Sequence, residues 1–311
     1  MSTNAIVMLN RHAGHGMASQ LQTPIEAWLK RHAPGVPLLA PTSAHAALAT
    51  LIILAPRTRV VLVGGDGTIN TMLPAMLRRG HRLGLVPAGH TNSLAHALGL
   101  TGMTWQNALP FALNHPSAAI DVGQIDTGKG SWPFASRLSI GLDALMGLRA
   151  QMAPAFLRSS GMRRLWGVMH EWPRSKALPM RVWVDGKLAH EGDTLAVSVT
   201  NTPRVVATRG DRTEPITAAP PGTMDALILG KLGSLRGLSA MMRATPQPSP
   251  PKIISMRMHQ IQIDSGTPLP LCADGEELPA TGRLGIQVLP RSLQAVGQHA
   301  EAELWAPSTQ S

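Results

Sequence analysis

A glycine-rich segment around one carboxylate carries the clearest chemical signal in the sequence. Residues 64–68 read Gly-Gly-Asp-Gly-Thr and follow directly on the β-branched run 59–63. Glycines allow tight turns and leave backbone N–H groups open to a phosphate, because no Cβ stands in the way. A simple turn rarely needs three glycines, so we interpret this segment as a phosphate-binding loop. Thr68 is expected to cap the helix that follows.

Two further loops follow apolar runs. Residues 10–16 (Asn-Arg-His-Ala-Gly-His-Gly) come after the run 5–9, and residues 87–92 (Pro-Ala-Gly-His-Thr-Asn) come after the run 83–86. Each loop alone is a weak signal, because Gly-x-Gly pairs are common and the third glycine of a dinucleotide fingerprint is missing. Three such loops on neighbouring strands would meet at the carboxyl ends of the strands, where open α/β sheets bind ligands.

The elements that must position these loops alternate between strand and helix up to about residue 121. The runs 5–9, 59–63 and 83–86 predict strands, and a helical pattern such as 92–98 follows each loop. Pro74 falls early in the helix after the first loop described, which predicts that this helix starts late or kinks. Repeated units of strand, loop and helix favour a parallel sheet with helices on its faces.

Beyond residue 121 the pattern becomes β-rich. Asp185-Gly186 between two extended runs predicts a hairpin, because these residues tolerate the positive φ angles of a two-residue turn. Apolar runs predict further strands at 195–199, 254–263 and 284–289. The segment 142–172 has helical spacing instead.

This helical segment carries an apolar stripe beside two arginines. Leu165, Met169 and Trp172 share one side at helical spacing, and Arg163 and Arg164 lie next to them. Such a stripe more often packs into a core than faces solvent, so we expect these apolar side chains to be buried. The alternative is a basic amphipathic helix that contacts anionic lipid.

Composition narrows the class of protein. A length of 311 residues suggests two domains. The single cysteine, Cys272, excludes an internal disulfide and a multi-cysteine zinc site, and it agrees with a reducing, cytoplasmic location. The 28 basic and 18 acidic residues give a net charge of +10, which favours an anionic partner. Because only 3% of residues are aromatic, we expect no nucleic-acid partner that relies on base stacking.

The loops resemble those of the diacylglycerol kinase catalytic domain family, whose relatives include bacterial lipid kinases and the sphingosine and ceramide kinases. Residues 64–68 resemble the family's nucleotide signature, 10–16 its first glycine loop, and 87–92 its second. Further segments follow in the family's order, namely 120–123 (Ile-Asp-Val-Gly), 139–144 (Ser-Ile-Gly-Leu-Asp-Ala), 222–225 (Gly-Thr-Met-Asp) and 274–276 (Asp-Gly-Glu). The resemblance covers residues 6–289, nearly the whole chain.

The resemblance implies an α/β plus all-β fold with the active site in the cleft between two domains. Residues 1–122 would form a Rossmann-like α/β nucleotide domain and residues 123–290 a β-sandwich that takes the lipid acceptor. Residues 291–311 would return to the first domain. The implied cofactors are ATP and Mg²⁺, and the implied partner is a lipid substrate at an anionic membrane surface, with the protein peripheral on its inner face.

The resemblance also implies roles for individual residues. Asp274 and Glu276 match the motif implicated in deprotonating the acceptor hydroxyl, and Asp66 is a rival for part of that role. Asp66 and Asp274 would reach the Mg²⁺ that accompanies ATP through water, since Mg²⁺ commonly keeps part of its hydration shell. The residues implied in nucleotide binding are Asn10, Gly14, Gly16, Thr42, Gly64, Gly65, Asp66, Gly67, Thr68, Asn70, Gly89, His90 and Asn92.

Four positions depart from the family's pattern. His90 stands where Thr or Ser is usual, Thr71 where Glu is common, and Ser93 and Pro221 where Asp is common. The Asp at the Pro221 position resembles the side-chain ligand of a structural Mg²⁺ in bacterial relatives. Proline offers only a carbonyl there, so we expect that metal site to be weak or absent. We expect His12, His15 and His90 to be solvated, and the sharper alternative is that protonated His90 donates to a phosphate.

The leading interpretation is an ATP-dependent kinase that phosphorylates a hydroxyl of a lipid such as diacylglycerol or a sphingoid or ceramide-like acceptor. One alternative is an NAD kinase-like phosphotransferase, because NAD kinases share the Gly-Gly-Asp-Gly loop and the two-domain plan. Another is a non-catalytic relative that binds nucleotide or lipid, because His90, Ser93 and Pro221 replace usual residues. Retention of the three carboxylates proposed above favours activity.

Overall fold

The structure of the chain is a computed structural model that describes residues 5–14, 16–89, 91–154, 156–157, 159–201, 222–231 and 253–298. Two compact units make up the chain. Unit 1 comprises residues 1–121 and 291–311, and unit 2 comprises residues 122–290. His15, His90 and Pro221, which the sequence analysis singled out, lie outside the described residues.

Strands alternate with helices in the first part of the chain and dominate the second. The strands are β1 (Ala5–Leu9), β2 (Leu38–Leu39), β3 (Arg59–Gly64), β4 (Arg82–Pro87), β5 (Ser117–Asp126), β6 (Ser131–Phe134), β7 (Arg137–Gly141), β8 (Leu178–Val184), β9 (Lys187–Thr200), β10 (Met224–Gly230), β11 (Ile253–Met258), β12 (Gln260–Ala273) and β13 (Glu276–Val296). The helices are α1 (Gln22–His32), α2 (Ala44–Ile53), α3 (Asp66–Arg79), α4 (Ser93–Ala97), α5 (Trp105–Asn114), α6 (Leu142–Gln151) and α7 (Ser160–Glu171).

Unit 1 is built on a parallel sheet. Its strand order is β13-β4-β3-β1-β2, and the last residues of β13 pair in parallel with β4. β3 and β4 run in register from Arg59 opposite Arg82 to Gly64 opposite Pro87. The loops after β1, β3 and β4 therefore leave the sheet at the same edge, which confirms the predicted strands and their common direction.

The strands of unit 1 are held by an apolar layer against two helices. Apolar side chains alternate along a strand, so one face of β1, β3 and β4 can pack as a unit. The buried side chains of this layer are Val7, Leu9, Val61, Val63 and Val86 from the strands, Ile25 and Leu29 from α1, and Ala108, Leu109 and Ala112 from α5.

Helix α3 differs from the sequence-based expectation at two points. Gly65 is its N-cap, and the carbonyl of Gly65 accepts hydrogen bonds from the N–H groups of Thr68 and Ile69. Thr68 therefore lies inside the first turn, and the prediction that it caps the helix is wrong. Pro74 lies within the helix without delaying its start, because the preceding turns already form from Asp66 onward and the proline ring faces solvent.

Unit 2 is an antiparallel β-structure around its own core. β9 pairs with β10, β7 and β8, and β12 pairs with β7, β8 and β13. The predicted hairpin at Asp185-Gly186 is confirmed, with Val184 opposite Lys187. The run 254–263, predicted as one strand, is two strands, because the chain changes partner at His259. The backbone N–H of His259 donates to the Asp185 carboxylate at 2.9 Å.

The apolar stripe of the helical segment in unit 2 is more exposed than the sequence predicted. α6 and α7 pack against each other, and Trp172 contacts a small apolar cluster with Leu142 and Met146. Leu165 is 46% exposed and Met169 is 65% exposed, so the expectation that they belong to the core is wrong. The buried side of α7 is formed by other residues, including Arg163, whose guanidinium donates to the Gln151 carbonyl at 2.6 Å.

Candidate functional site

The turn between β3 and α3 has no room for side chains on its first glycines. A Cβ on Gly64 would lie 2.5 Å from Oγ1 of Thr68. A Cβ on Gly65 would lie 2.8 Å from the Cα of Gly89 in the loop after β4. Both glycines are buried and both lie outside the left-handed φ region, so close packing rather than backbone conformation demands them.

The loops after β1 and β3 both contact the loop after β4. A Cβ on Gly89 would lie 2.6 Å from the Cα of Gly65, and a Cβ on Gly14 would lie 2.6 Å from the carbonyl oxygen of Ala88. Gly14 also has a φ of +61°, which favours glycine independently of space. The structure thus brings the three glycine loops of unit 1 into contact.

Hydrogen bonds fix the positions of these loops. The Asn10 amide donates to Oγ1 of Thr68 at 2.8 Å, and the N–H of Ala88 donates to the carbonyl of Gly64 at 2.9 Å. Asn92 clamps its own loop, because its side-chain oxygen accepts from the N–H of Gly89 at 3.0 Å and its amide donates to the Gly89 carbonyl at 2.8 Å. Side chains of the nucleotide set therefore shape the loops as well as line them.

Asp66 is the carboxylate at the centre of this cluster. Its Oδ1 accepts a weak hydrogen bond of 3.4 Å from the N–H of Leu94, in the first turn of α4. Burial raises the pKa of Asp66, and hydrogen bonds from Ser93, Leu94 and Asn92 oppose that shift without cancelling it. The side chain is thus a carboxylate whose proton affinity is increased by its surroundings.

The amino end of α3 suits an anion. A helix leaves its first N–H groups without intrahelical acceptors, and its dipole favours negative charge there. Thr68 and Ile69 donate to Gly65, whereas the N–H groups of Asp66 and Gly67 make no backbone hydrogen bond to any residue that the structure describes. Together with the absence of Cβ atoms around Gly64 and Gly65, this end of the helix fits a phosphate group.

Other residues of the implied nucleotide set lie at varying places in unit 1. Gly16 has a φ of +87° and precedes the 3₁₀ turn Met17–Leu21. Asn70 is half-buried inside α3. Thr42 is exposed just before α2, and within the described part of the chain no hydrogen bond joins it to the three loops.

Unit 2 holds Asp274 in a backbone nest. The carboxylate of Asp274 accepts hydrogen bonds from the N–H groups of Ala135 (2.6 Å), Ser136 (2.8 Å) and Arg137 (2.8 Å). The residue is 8% exposed and has a φ of +46°. Because an ionised carboxylate has about four lone-pair sites, three of them are already occupied by the turn between β6 and β7. Glu276, two residues later, is exposed.

A charged cluster beside Asp274 was missed by sequence reasoning. The guanidinium of Arg137 donates to Oδ2 of Asp143 at 2.7 Å, and the Ser198 hydroxyl donates to the same oxygen at 2.7 Å. Burial alone would raise the pKa of Asp143, but Arg137 and the hydroxyls of Ser139 and Ser198 outweigh it and lower that pKa. Asp143 lies in a motif that the resemblance had already marked, whereas no sequence signal pointed to Arg137 as its partner.

The described residues show neither a metal-binding cluster nor a membrane-spanning helix. Within them, no group of three or more His, Cys, Asp or Glu side chains could hold a metal ion. None of their helices combines the length and the apolar character that crossing a bilayer requires.

Comparison with known proteins agrees with this arrangement. The model of the diacylglycerol kinase catalytic domain matches residues 4–125. The model of the YegS C-terminal NAD kinase beta sandwich-like domain matches residues 136–297, more than half of the chain. The chain belongs to the diacylglycerol kinase catalytic domain family. Its fold is accordingly a Rossmann-like α/β domain followed by a β-sandwich, as the resemblance implied.

Individual relatives carry the same family name. A diacylglycerol kinase of Mycobacterium tuberculosis is 28% identical over 183 residues, which are 58% of each chain, so the match spans less than two thirds of that relative. A diacylglycerol kinase of Bacillus subtilis is 25% identical over 224 residues, 70% of each chain. These names support a family of lipid kinases.

Solved structures show the same fold at low identity. A diacylglycerol kinase of Bacillus anthracis aligns with a TM-score of 0.69 at 17% identity and covers 96% of this chain and 98% of its own. An NAD kinase of Archaeoglobus fulgidus in complex with ATP aligns with a TM-score of 0.52 at 15% identity and covers 97% of both chains.

Proposed function

We propose that this protein is an ATP-dependent lipid kinase that transfers the γ-phosphate to a hydroxyl of a lipid acceptor, diacylglycerol or a sphingoid or ceramide-like lipid. The observation that carries the proposal is the contact of Gly65 with Gly89 at the amino end of α3. This contact forms a side-chain-free cradle in a chain whose relatives are named as diacylglycerol kinases.

In this proposal unit 1 binds the nucleotide. Phosphate oxygens accept from the N–H groups of Asp66 and Gly67, and the positive end of the α3 dipole stabilises their charge. Asn10 and Asn92 keep the loops at the spacing that the phosphates require. Since phosphoryl transfer depends mainly on positioning and electrostatic stabilisation, a rigid cradle of backbone donors is the main contribution of this unit.

Unit 2 contributes carboxylates to the acceptor side of the reaction. A carboxylate takes the proton of the lipid hydroxyl while the hydroxyl oxygen forms a bond to the γ-phosphorus, and the bond from that phosphorus to the bridging oxygen of ADP breaks. The carboxylate of Asp274 is held by three backbone N–H groups, and Glu276, two residues later, is exposed. We assign proton acceptance to this pair and a share of the charge balance at the phosphates to Asp66.

In this proposal Mg²⁺ binds together with the nucleotide. The ion would be held by the nucleotide phosphates and water, with Asp66 as the adjacent carboxylate. When bound, it neutralises phosphate charge.

The exposed apolar stripe on α7 supports contact with a membrane that carries the substrate. Apolar side chains at Met162, Leu165 and Met169 share one exposed face of α7 at spacings of three and four residues. Arg164, next to Leu165 in sequence, is basic and exposed, and so is Lys176 a few residues beyond the end of α7. An apolar face with cationic residues at its border fits an anionic lipid surface, where the apolar side chains enter the headgroup boundary.

The experiment that tests the proposal is transfer of labelled γ-phosphate from ATP with Mg²⁺ into a panel of lipids in detergent micelles. The panel holds diacylglycerol, monoacylglycerol, ceramide and sphingoid bases, and a parallel reaction holds NAD. Labelling of a lipid that disappears in Asp66→Asn supports the proposal and names the acceptor class. Labelling of NAD alone, or of nothing while ATP still binds, would overturn it.

A further inference from the structure

A hollow lined by four arginines lies at the other end of the unit 1 sheet. Its volume is about 620 Å³, and its lining includes Arg57, Arg59, Arg82 and Arg291 together with Ser117 and Gln294. All of these residues belong to unit 1. A hollow of this volume is within the range of small-molecule sites, roughly 300–1,000 Å³.

The arginines are placed by the register of the sheet. Arg59 begins β3, Arg82 begins β4, and the two are direct neighbours in register. Gln294 of β13 is the next neighbour of Arg82. The glycine loops follow the opposite ends of these strands, and six residues of strand separate the two sites by about 16 Å. The hollow is therefore a different site from the nucleotide cradle.

The guanidinium charges in the hollow repel one another. Like charges that are direct neighbours on a sheet destabilise it. The ion pairs between described residues involve none of the four arginines. Burial and the neighbouring charge of Arg82 lower the pKa of Arg59. Asp121 accepts a hydrogen bond at 2.7 Å from the backbone N–H of Arg291.

One of the four arginines, Arg59, has a structural role in the fold. Arg59 is half-buried, and its Nη1 donates to the carbonyls of Ala112 and Leu113 in the last turn of α5, which otherwise lacks partners for these groups. Arg57, Arg82 and Arg291 are exposed and have no such bond between described residues. Arg57 and Arg291 also adopt φ angles of +61° and +48°, which are unfavourable for long side chains.

We propose that this hollow binds an anion bearing one or more phosphate groups with at least two negative charges. Guanidinium groups match phosphate oxygens with paired N–H donors, and an anion between them would replace repulsion by attraction. Ser117 and Gln294 are neutral polar residues of the lining, and the Ser117 hydroxyl donates to the Gln294 side chain at 3.3 Å. The chemistry is common to a soluble oligophosphate and to the headgroup of a phosphatidate, and the site is independent of the reaction proposed above.

Arginine footprinting on the unmodified protein tests this site directly. Phenylglyoxal modifies accessible guanidinium groups, and peptide mapping reads each arginine separately. Inorganic tripolyphosphate should protect Arg57, Arg82 and Arg291 while leaving Arg31, an exposed arginine of α1, unprotected. Protection of all arginines alike, or of none, would overturn the proposal.

A second arm distinguishes the two sources of the anion. Short-chain phosphatidate below its micelle concentration replaces tripolyphosphate in the same footprint. Protection by both compounds indicates a site open to a lipid headgroup, and protection by tripolyphosphate alone indicates a soluble oligophosphate. Protection by neither contradicts the site.

Calorimetric titration with tripolyphosphate gives a matched measurement on variants. Arg82→Gln with Arg291→Gln should weaken binding by about tenfold or more, because two charge-assisted contacts are lost. Lys30→Gln with Arg31→Gln removes the same charge from the same unit and should leave the affinity within about twofold. Equal weakening by both pairs would show non-specific attraction and overturn the proposal. Thermal unfolding confirms that each variant is folded.

Discussion

Gly65 and Gly89 face each other so closely that a Cβ on either would lie within 2.8 Å of the other's Cα. One glycine ends the loop after β3 and the other lies in the loop after β4. This approach joins the two loops at the amino end of α3, and Asn92 holds the second loop in place through both of its side-chain groups. The candidate nucleotide site is therefore a packed backbone structure.

Gly65→Ala should lower nucleotide affinity and stability together. The added methyl meets backbone at Gly89, which cannot move aside as a flexible side chain would, and overpacking of this kind costs about 1–3 kcal/mol. ATP titration and urea unfolding measure the two effects. Gly147→Ala in α6 is the matched control, since a Cβ there meets nothing within 4 Å and should be neutral or stabilising. An unchanged ATP affinity in Gly65→Ala would contradict the cradle.

Part of this site could be predicted from sequence because it depends on local patterns. Runs of β-branched residues ending in glycine predicted β3 and its loop, and the order of strands and loops placed three loops at one edge. The close approach of Gly65 to Gly89 and the bond from Asn10 to Thr68 join residues far apart in sequence, and only the packed structure shows them.

The same limit applies to individual side chains. The stripe at Leu165 and Met169 has the spacing of a core helix, but α6 and its apolar cluster contact a different side of α7, so spacing alone could not decide its exposure. The nest around Asp274 is formed by a turn about 138 residues earlier in the chain, and no local pattern predicts it.

Asp274→Ala should destabilise unit 2. Its removal leaves the N–H groups of Ala135, Ser136 and Arg137 without their acceptor, and each unsatisfied buried group costs about 1–3 kcal/mol. Two of these bonds are buried and the one from Arg137 is part-buried, so the expected loss in urea unfolding is at least about 2 kcal/mol. Asp274→Asn keeps one acceptor oxygen and should lose less.

Glu276→Gln separates stability from the reaction. Because Glu276 is exposed, the unfolding midpoint of the variant should match that of the wild type, while its rate of phosphate transfer to lipid falls. If Glu276→Gln retains full activity, Glu276 does not have the proposed role. If Asp274→Ala is as stable as the wild type, the nest around Asp274 contributes nothing to the stability of unit 2.

The difference in stability between Asp66→Asn and the wild type should change with pH in a defined direction. The pKa of Asp66 is raised in the folded chain, so folding favours its protonated form. The contribution of this group to the free energy of unfolding is therefore fully present below its ordinary pKa of about 4 and is lost as pH rises through the raised value. Asparagine stays neutral and can still accept from Leu94. The variant should therefore gain thermal stability relative to the wild type between acid and neutral pH. A difference that is constant with pH would contradict the raised pKa.

Leu165→Ser with Met169→Ser should weaken binding to anionic vesicles. Each side chain contributes about 1.5–3 kcal/mol when buried, so the pair should reduce affinity by more than about tenfold. Leu188→Ser is the control, because Leu188 is also exposed but lies on a hairpin strand away from this stripe in sequence. Vesicle sedimentation measures both. Equal affinity of the double variant and the wild type would remove the stripe from the proposed membrane contact.

Cys272 should resist thiol reagents in the folded protein. Burial raises the pKa of this thiol to about 11, and the nearby carboxylates Asp143, Asp274 and Glu276 act in the same direction. At about pH 8 the reactive thiolate is therefore scarce and shielded. Labelling with Ellman's reagent should be slow in buffer and rapid in guanidinium chloride. Rapid labelling of the folded chain would contradict the buried position of β12 next to β7.

The most direct test of the central claim is the rate of γ-phosphate transfer from ATP to diacylglycerol in mixed micelles by the wild type, Gly65→Ala and Gly147→Ala side by side. The account predicts labelled lipid with the wild type and Gly147→Ala, and a loss of at least about tenfold with Gly65→Ala, equivalent to about 1.4 kcal/mol in the barrier. Equal rates in all three proteins would contradict the claim that the glycine loops of unit 1 hold the nucleotide.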